Sequence, residues 1–126
     1  LAFPERKPQP IADFDERGFG QWEGLTADEI EAAFPEVWQA WLEAPFEVTP
    51  PEAEVFADFQ TRVWTATDRL LDSTDESIAL VSHLGVLRLI YQHLVDGEAV
   101  FWNIDVPQGR VLLLEERDQT WQATLL

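Results

Sequence analysis

The chain has 126 residues, room for one modest domain, and 46% of them are hydrophobic and 12% aromatic, with six Trp, which excludes a disordered chain. Asp and Glu number 24 against 8 Lys and Arg, a net charge of −16, and this argues against nucleic acid and anionic membrane as partners, since both need a basic face. There is no cysteine, so disulfides, thiolate metal sites and a cysteine nucleophile are excluded, and a cytoplasmic enzyme is the default.

Leu1-Ala2-Phe3 has no initiator Met and reads like the continuation of something longer, so a fragment is expected. Pro4, Arg6, Pro8 and Pro10 mark residues 1–12 as a connecting loop. Ile11 to Phe14 is a short strand or its remnant. From Phe14 to Leu25 three glycines fall within seven residues, interleaved with Phe19 and Trp22, which predicts an ordered loop with special backbone angles. Thr26-Ala27-Asp28-Glu29 is a capping box that starts a helix. Pro35 belongs to the first turn of a second helix, Glu36 to Glu43, with Val37, Trp38, Trp41 and Leu42 on its apolar side. Pro45, Pro50 and Pro51 mark a loop. A long helix then runs from Glu54 to Asp72, with Phe56, Phe59, Val63, Ala66 and Leu70 as its buried stripe.

Ile78 to Ser82 is a short, largely apolar run that reads as a buried strand, and His83 ends it. From Gly85 a helix continues through Leu94 and stops at Gly97. Phe101-Trp102 lies in a loop. Arg110 to Glu115 and Thr120 to Leu125 read as a hairpin joined through Arg117-Asp118-Gln119. This order predicts an α/β fold with a mixed sheet of about three strands, fewer than the ~5–6 of an average sheet.

The strand end at His83 is where open α/β sheets bind ligands, and the following helix offers unpaired N–H groups to an anion there. His83 is either a base, ligand, nucleophile or phosphoryl-stabilising group, or a structural histidine bonded into the turn. His93 reads as an ordinary helix residue. Glu16, in the glycine-aromatic loop, is either a general acid or one more surface carboxylate. Arg17 is either an anion binder or half of a weak surface pair. Arg88 points at the same anion or at solvent. Two His and no Cys leave only a carboxylate-based metal site, and no EF-hand spacing, phosphate-binding loop or dinucleotide fingerprint is present.

Asp15-Glu16-Arg17-Gly18-Phe19-Gly20-Gln21-Trp22-Glu23-Gly24, followed after a long helix by Leu80-Val81-Ser82-His83-Leu84-Gly85-Val86-Leu87-Arg88, resembles the histidine phosphatase superfamily. These are the phosphoglycerate-mutase-like enzymes, here in the manner of the alpha-ribazole phosphatase-like bacterial branch. Glu52-Ala53-Glu54-Val55 falls where that family has Gly-Gly-Glu-Ser, and Leu84 stands where it has a Gly. The resemblance implies a three-layer α/β/α sandwich with its N-terminal strands missing. Residues 1–126 would be one domain, the C-terminal portion of such a phosphatase domain. It further implies phosphomonoester hydrolysis through a phosphohistidine, with no cofactor and no metal. Glu16 would be the proton donor and His83 the group that stabilises the phosphoryl. Arg17 and Leu84 would contact the substrate, a small phosphorylated metabolite.

The family's nucleophile sits in an Arg-His-Gly motif, which these residues lack. The chain alone is therefore expected to be inactive, with mutase activity as a variant for the parent enzyme. The alternative is a non-catalytic acidic binding module that kept the fold. Exposed Trp or a bare sheet edge would favour homo-oligomers.

Overall fold

A computed structural model of the chain describes residues 5–126. The expectations for Leu1-Ala2-Phe3 and Pro4 lie outside the described residues. Among these the helices are α1 (Ala27–Ala33), α2 (Pro35–Glu43), α3 (Phe56–Asp72) and α4 (Leu84–Leu94), and the strands are β1 (Leu112–Arg117) and β2 (Thr120–Leu125). The architecture is α/β, with a short sheet.

α1 begins where its capping box requires: Thr26 Oγ1 accepts from the Glu29 N–H, and the Glu29 side chain accepts from the Thr26 N–H. Pro35 opens α2, where its missing N–H costs nothing. The α2 face does not enter the main core. No residue of α2 is buried, and Leu42 is 52% exposed. Instead Trp38 and Trp41 stack on each other at 5.8 Å and meet Trp22 edge-on, each at 5.6 Å. Three large rings satisfy one another in a satellite cluster, so the helix needs no place in the centre.

The core lies between α3 and α4. Phe59, Val63, Ala66, Val86, Leu89 and Ile90 are buried there, joined by Phe14 and Phe101. Burial of each of these side chains larger than Ala66 is worth about 1.5–3 kcal/mol. Of the predicted α3 stripe, Phe56 and Leu70 are only partly buried. Thr67 is buried too, and its hydroxyl donates to the Val63 carbonyl at 2.8 Å. The Trp64 indole N–H donates across to the Leu89 carbonyl at 2.9 Å, fixing one helix on the other.

Two predicted strands are absent. Ile11 to Phe14 ends in a 3-10 turn over Ala12–Phe14. Ile78 to His83 joins no ladder among the described residues, and Val81 is 96% exposed. A strand needs a neighbour for its N–H and C=O groups, and no described strand flanks this run. Among the described residues the sheet is accordingly not mixed. It is the antiparallel pair β1–β2, with Leu114 opposite Ala123 and Arg117 opposite Thr120. β1 lies two residues later than predicted, because Asp118 and Gln119 alone make the turn, both at positive φ (53° and 65°). Phe101 is not in an irregular loop but in a 3-10 turn, Phe101–Asn103, and buried. No helix among the described residues is long and apolar enough to cross a membrane.

Candidate active site

Glu16 follows the turn that buries Phe14, and the Ser82 hydroxyl donates to the Phe14 carbonyl at 2.6 Å. This bond ties the glycine-aromatic loop to the segment before α4. The Glu16 carboxylate accepts two backbone N–H groups, Arg17 at 3.0 Å and Gly85 at 3.1 Å. Gly85 is the second residue of α4, where N–H groups lack a helical partner. The helix N-terminus that was expected to face a free anion thus holds the chain's own carboxylate. A Cβ on Gly85 would overlap Glu16 Oε1, so only glycine admits this contact.

The loop is zipped to the segment before α3. Gln21 N–H donates to the Pro51 carbonyl at 3.0 Å and Glu54 N–H to the Gly18 carbonyl at 2.9 Å. Gly20, at φ +55°, approaches Pro51 so closely that a Cβ there would strike backbone.

Arg17 is not a surface partner of Glu16. It is 7% exposed, its Nε donates to the Glu54 carbonyl at 2.9 Å, and its guanidinium lies over Phe19 (5.2 Å) and Phe56 (5.6 Å). Its Nη2 is buried without a partner among the described residues. Burial lowers the Arg17 pKa, and the neighbouring Glu54 charge partly opposes this. Glu54 is gripped by Arg62, whose Nε and Nη2 donate at 3.0 and 2.8 Å. That bidentate bond holds the Glu54 carboxyl below the usual carboxylate range, against its own desolvation. Arg62 Nη1 also donates to the carbonyls of Asp13 (2.7 Å) and Asp15 (2.9 Å), and so braces the backbone that presents Glu16.

Glu16, Arg17, Leu84, Gly85 and Arg88 line one cavity of about 230 Å³, walled by aromatic rings. Arg88 does face it: its Nε donates to the Ile104 carbonyl at 2.7 Å, and its guanidinium sits over Phe101 (5.2 Å) and Trp102 (5.5 Å). His83 caps α4 without a side-chain capping bond, and it is exposed. It lines an adjacent groove of about 770 Å³ with the segment Asp105–Leu112, and Leu84 borders both spaces. The fold thus unites Glu16, Arg17, Leu84 and Arg88 around one cavity, and His83 lines another space that shares Leu84 with it. His93 lies elsewhere, bonded to Asp68 at 2.8 Å and stacked on Trp64. No group of three or more His, Cys, Asp or Glu among the described residues is placed to hold a metal ion.

Arg62 and the aromatic wall were not read as site residues from sequence, and Glu54 entered only through the match of Glu52-Ala53-Glu54-Val55 to Gly-Gly-Glu-Ser. The only available signal for Arg62 was its place beside Val63 on α3, one residue off the buried stripe.

With this arrangement in view, the chain can be assigned to a family. The profile of the histidine phosphatase superfamily (branch 1) matches residues 3–126, and the chain belongs to that superfamily. A bifunctional protein of Mycobacterium tuberculosis and an uncharacterized protein of Mycobacterium bovis are each 30% identical to it over 105 residues. That alignment takes in 82% of this chain and 29% of each relative, so the chain spans less than a third of their length. A crystal structure from Escherichia coli, of a protein provisionally described as an alpha-ribazole-5'-P phosphatase, superposes with a TM-score of 0.87 at 26% identity. The match covers 100% of this chain and 64% of that one.

Proposed function

We propose that these residues supply the proton donor and the phosphoryl-stabilising side of a phosphomonoesterase acting on a small phosphorylated metabolite in the cytoplasm. The observation that carries this is the Glu16 carboxylate, fixed by the Arg17 and Gly85 N–H groups in a cavity that also holds two arginines. A carboxyl group set this firmly can deliver a proton to one leaving oxygen. Glu16 protonates the leaving alcohol, and Arg17 and Leu84 meet the substrate. His83, at the N-terminus of α4, stabilises the phosphoryl oxygens from the groove side. The reaction runs through a phosphohistidine and needs no metal or other cofactor. Family membership and the likeness to a phosphatase structure support the reaction class.

The nucleophile is a histidine outside these residues. Of the two histidines present, His93 is committed to Asp68 and His83 faces the groove. The chain by itself is accordingly inactive. The shortage of histidines also favours a second reading, a phosphatase-fold module that binds without catalysis.

Assay of p-nitrophenyl phosphate separates the two. The 126-residue chain should show no turnover, and a version extended upstream in its reading frame to include an Arg-His-Gly segment should be active and lose that activity with His83→Ala. Turnover by the short chain that survives His83→Ala would overturn the mechanism. An upstream frame without Arg-His-Gly would favour the binding module.

A further inference from the structure

The helix pair α1–α2 carries a second apolar groove, of about 290 Å³, bounded by Phe19, Ile30 and the rings of Trp22, Trp38 and Trp41, and Glu23 also lines it. It shares Phe19 and Trp41 with the Glu16 cavity, but Glu16, Arg17 and Arg88 have no part in it. Trp38 and Trp41 belong to a helix with no buried residue, so these rings stay within reach of solvent. Trp22 is 5% exposed, and its indole N–H and that of Trp41 are buried with no partner among the described residues. Buried donors are almost always satisfied, so the rings of this groove are short of acceptors. The charge around it has one sign. From Gly18 to Thr61 the sequence contains no Lys, Arg or His. Glu23, Asp28, Glu29, Glu31, Glu36 and Glu43 fall on and around the two helices, all exposed, and no ion pair among the described residues engages any of them.

We propose that this groove docks a basic peptide segment of a partner protein, which seats a Lys or Arg side chain on the indole rings and sets further cations against the surrounding carboxylates. Trp is the best of the aromatic residues at holding a cation on its face. The volume falls just below the ~300–1,000 Å³ of sites that take a whole small ligand, and suits one or two side chains of a longer partner. Exposed carboxylates with no counter-charge steer a cationic partner in and pair with it. The same charge repels nucleic acid, an anionic membrane surface and an acidic peptide. A peptide also brings carbonyls, the acceptors that Trp22 and Trp41 lack, and interface side chains commonly change rotamer on binding. Trp residues clustered at a groove and ringed by polar groups are the usual carriers of binding energy in protein interfaces. The proposal is independent of the phosphatase reading, because the charged groups of the Glu16 cavity take no part in it.

Fluorescence titration of the 126-residue chain reads the groove directly, because the cluster holds three of the six Trp. The probes are two capped hexapeptides, one alternating Arg and Leu and one alternating Gln and Leu, with spermidine as a cation that has no carbonyl. We expect one saturable site for the Arg-Leu peptide, about tenfold tighter than for the Gln-Leu peptide or for spermidine. Its affinity should fall several-fold at about 0.5 M salt. Trp38 lines this groove and not the Glu16 cavity, and Trp38→Ala should weaken the Arg-Leu peptide about tenfold or more. Glu23→Gln removes one charge and keeps an oxygen for the Phe19 N–H. It should weaken the Arg-Leu peptide about threefold and leave the Gln-Leu peptide unchanged, which keeps the test decisive if Trp38→Ala loses its near-ultraviolet circular dichroism. Equal affinity for the two peptides, spermidine binding as tightly as the Arg-Leu peptide, an unchanged affinity in Glu23→Gln, or no saturable change would overturn the proposal. So would sedimentation of the chain as a dimer that Trp38→Ala dissociates, which would put a second copy in the groove.

Discussion

Gly85 and Arg62 show how single residues set the geometry of this site through the groups they hold. Gly85 gives its N–H to Glu16 and has no Cβ to push the carboxylate away. Gly85→Ala should therefore displace Glu16 while leaving the fold intact, and lower kcat of the extended protein by roughly 10²-fold, the cost of a misplaced catalytic group. An unchanged kcat for p-nitrophenyl phosphate would separate Glu16 placement from catalysis. Arg62 acts through Glu54 and through the carbonyls of Asp13 and Asp15. Because the Glu54 carboxyl is held below its unfolded value, its contribution to stability is present above the ordinary carboxylate pKa and disappears as pH falls through the lowered value. Arg62→Gln should cost about 1–2 kcal/mol near pH 7. The gap from wild type should narrow below about pH 4. Urea unfolding at both pH values reads this directly, and a gap independent of pH would mean the loss is one of packing.

Each secondary-structure element owes its limits to a different cause. α1 is bounded by local chemistry, its reciprocal cap at Thr26 and Glu29. Thr26→Ala should lower unfolding free energy by about 1 kcal/mol, measurable as a shift in the urea midpoint at constant slope. The start of α1 was legible because every atom of the cap lies within four residues. α2 was legible as a helix but not in its packing, since Trp38 and Trp41 find their partner Trp22 across the glycine-aromatic loop. The segment Ile78 to His83 has strand composition and no ladder among the described residues. β-propensity measures fit to a pleated surface, and no described strand offers one beside this run. The hairpin succeeded as an element because β1 and β2 are each other's neighbours.

At the scale of the whole molecule, the site is where remote segments converge. Glu16 and Gly85 are 69 residues apart in sequence, and Arg62 and Asp13 are 49 apart. α3 and α4 make the core that holds those distances fixed, with Phe14 and Phe101 carrying the two loops into it. Positive charge is gathered locally, since Arg17 and Arg88 line one cavity although the chain carries −16 overall. The sequence by itself determined the family, through the loop around Glu16 and the Ser82-His83 junction in their order. It also determined the helices, the hairpin and the candidacy of Glu16, Arg17, Leu84 and His83, because motif order, capping and periodicity are properties of the chain alone. Only the tertiary structure decided that Arg17 is buried against Glu54, that α4 offers its N-terminus to Glu16, and that Leu84 lines both the Glu16 cavity and the His83 groove. Those are contacts across tens of residues, and they exist only once the α3–α4 core has brought the segments together.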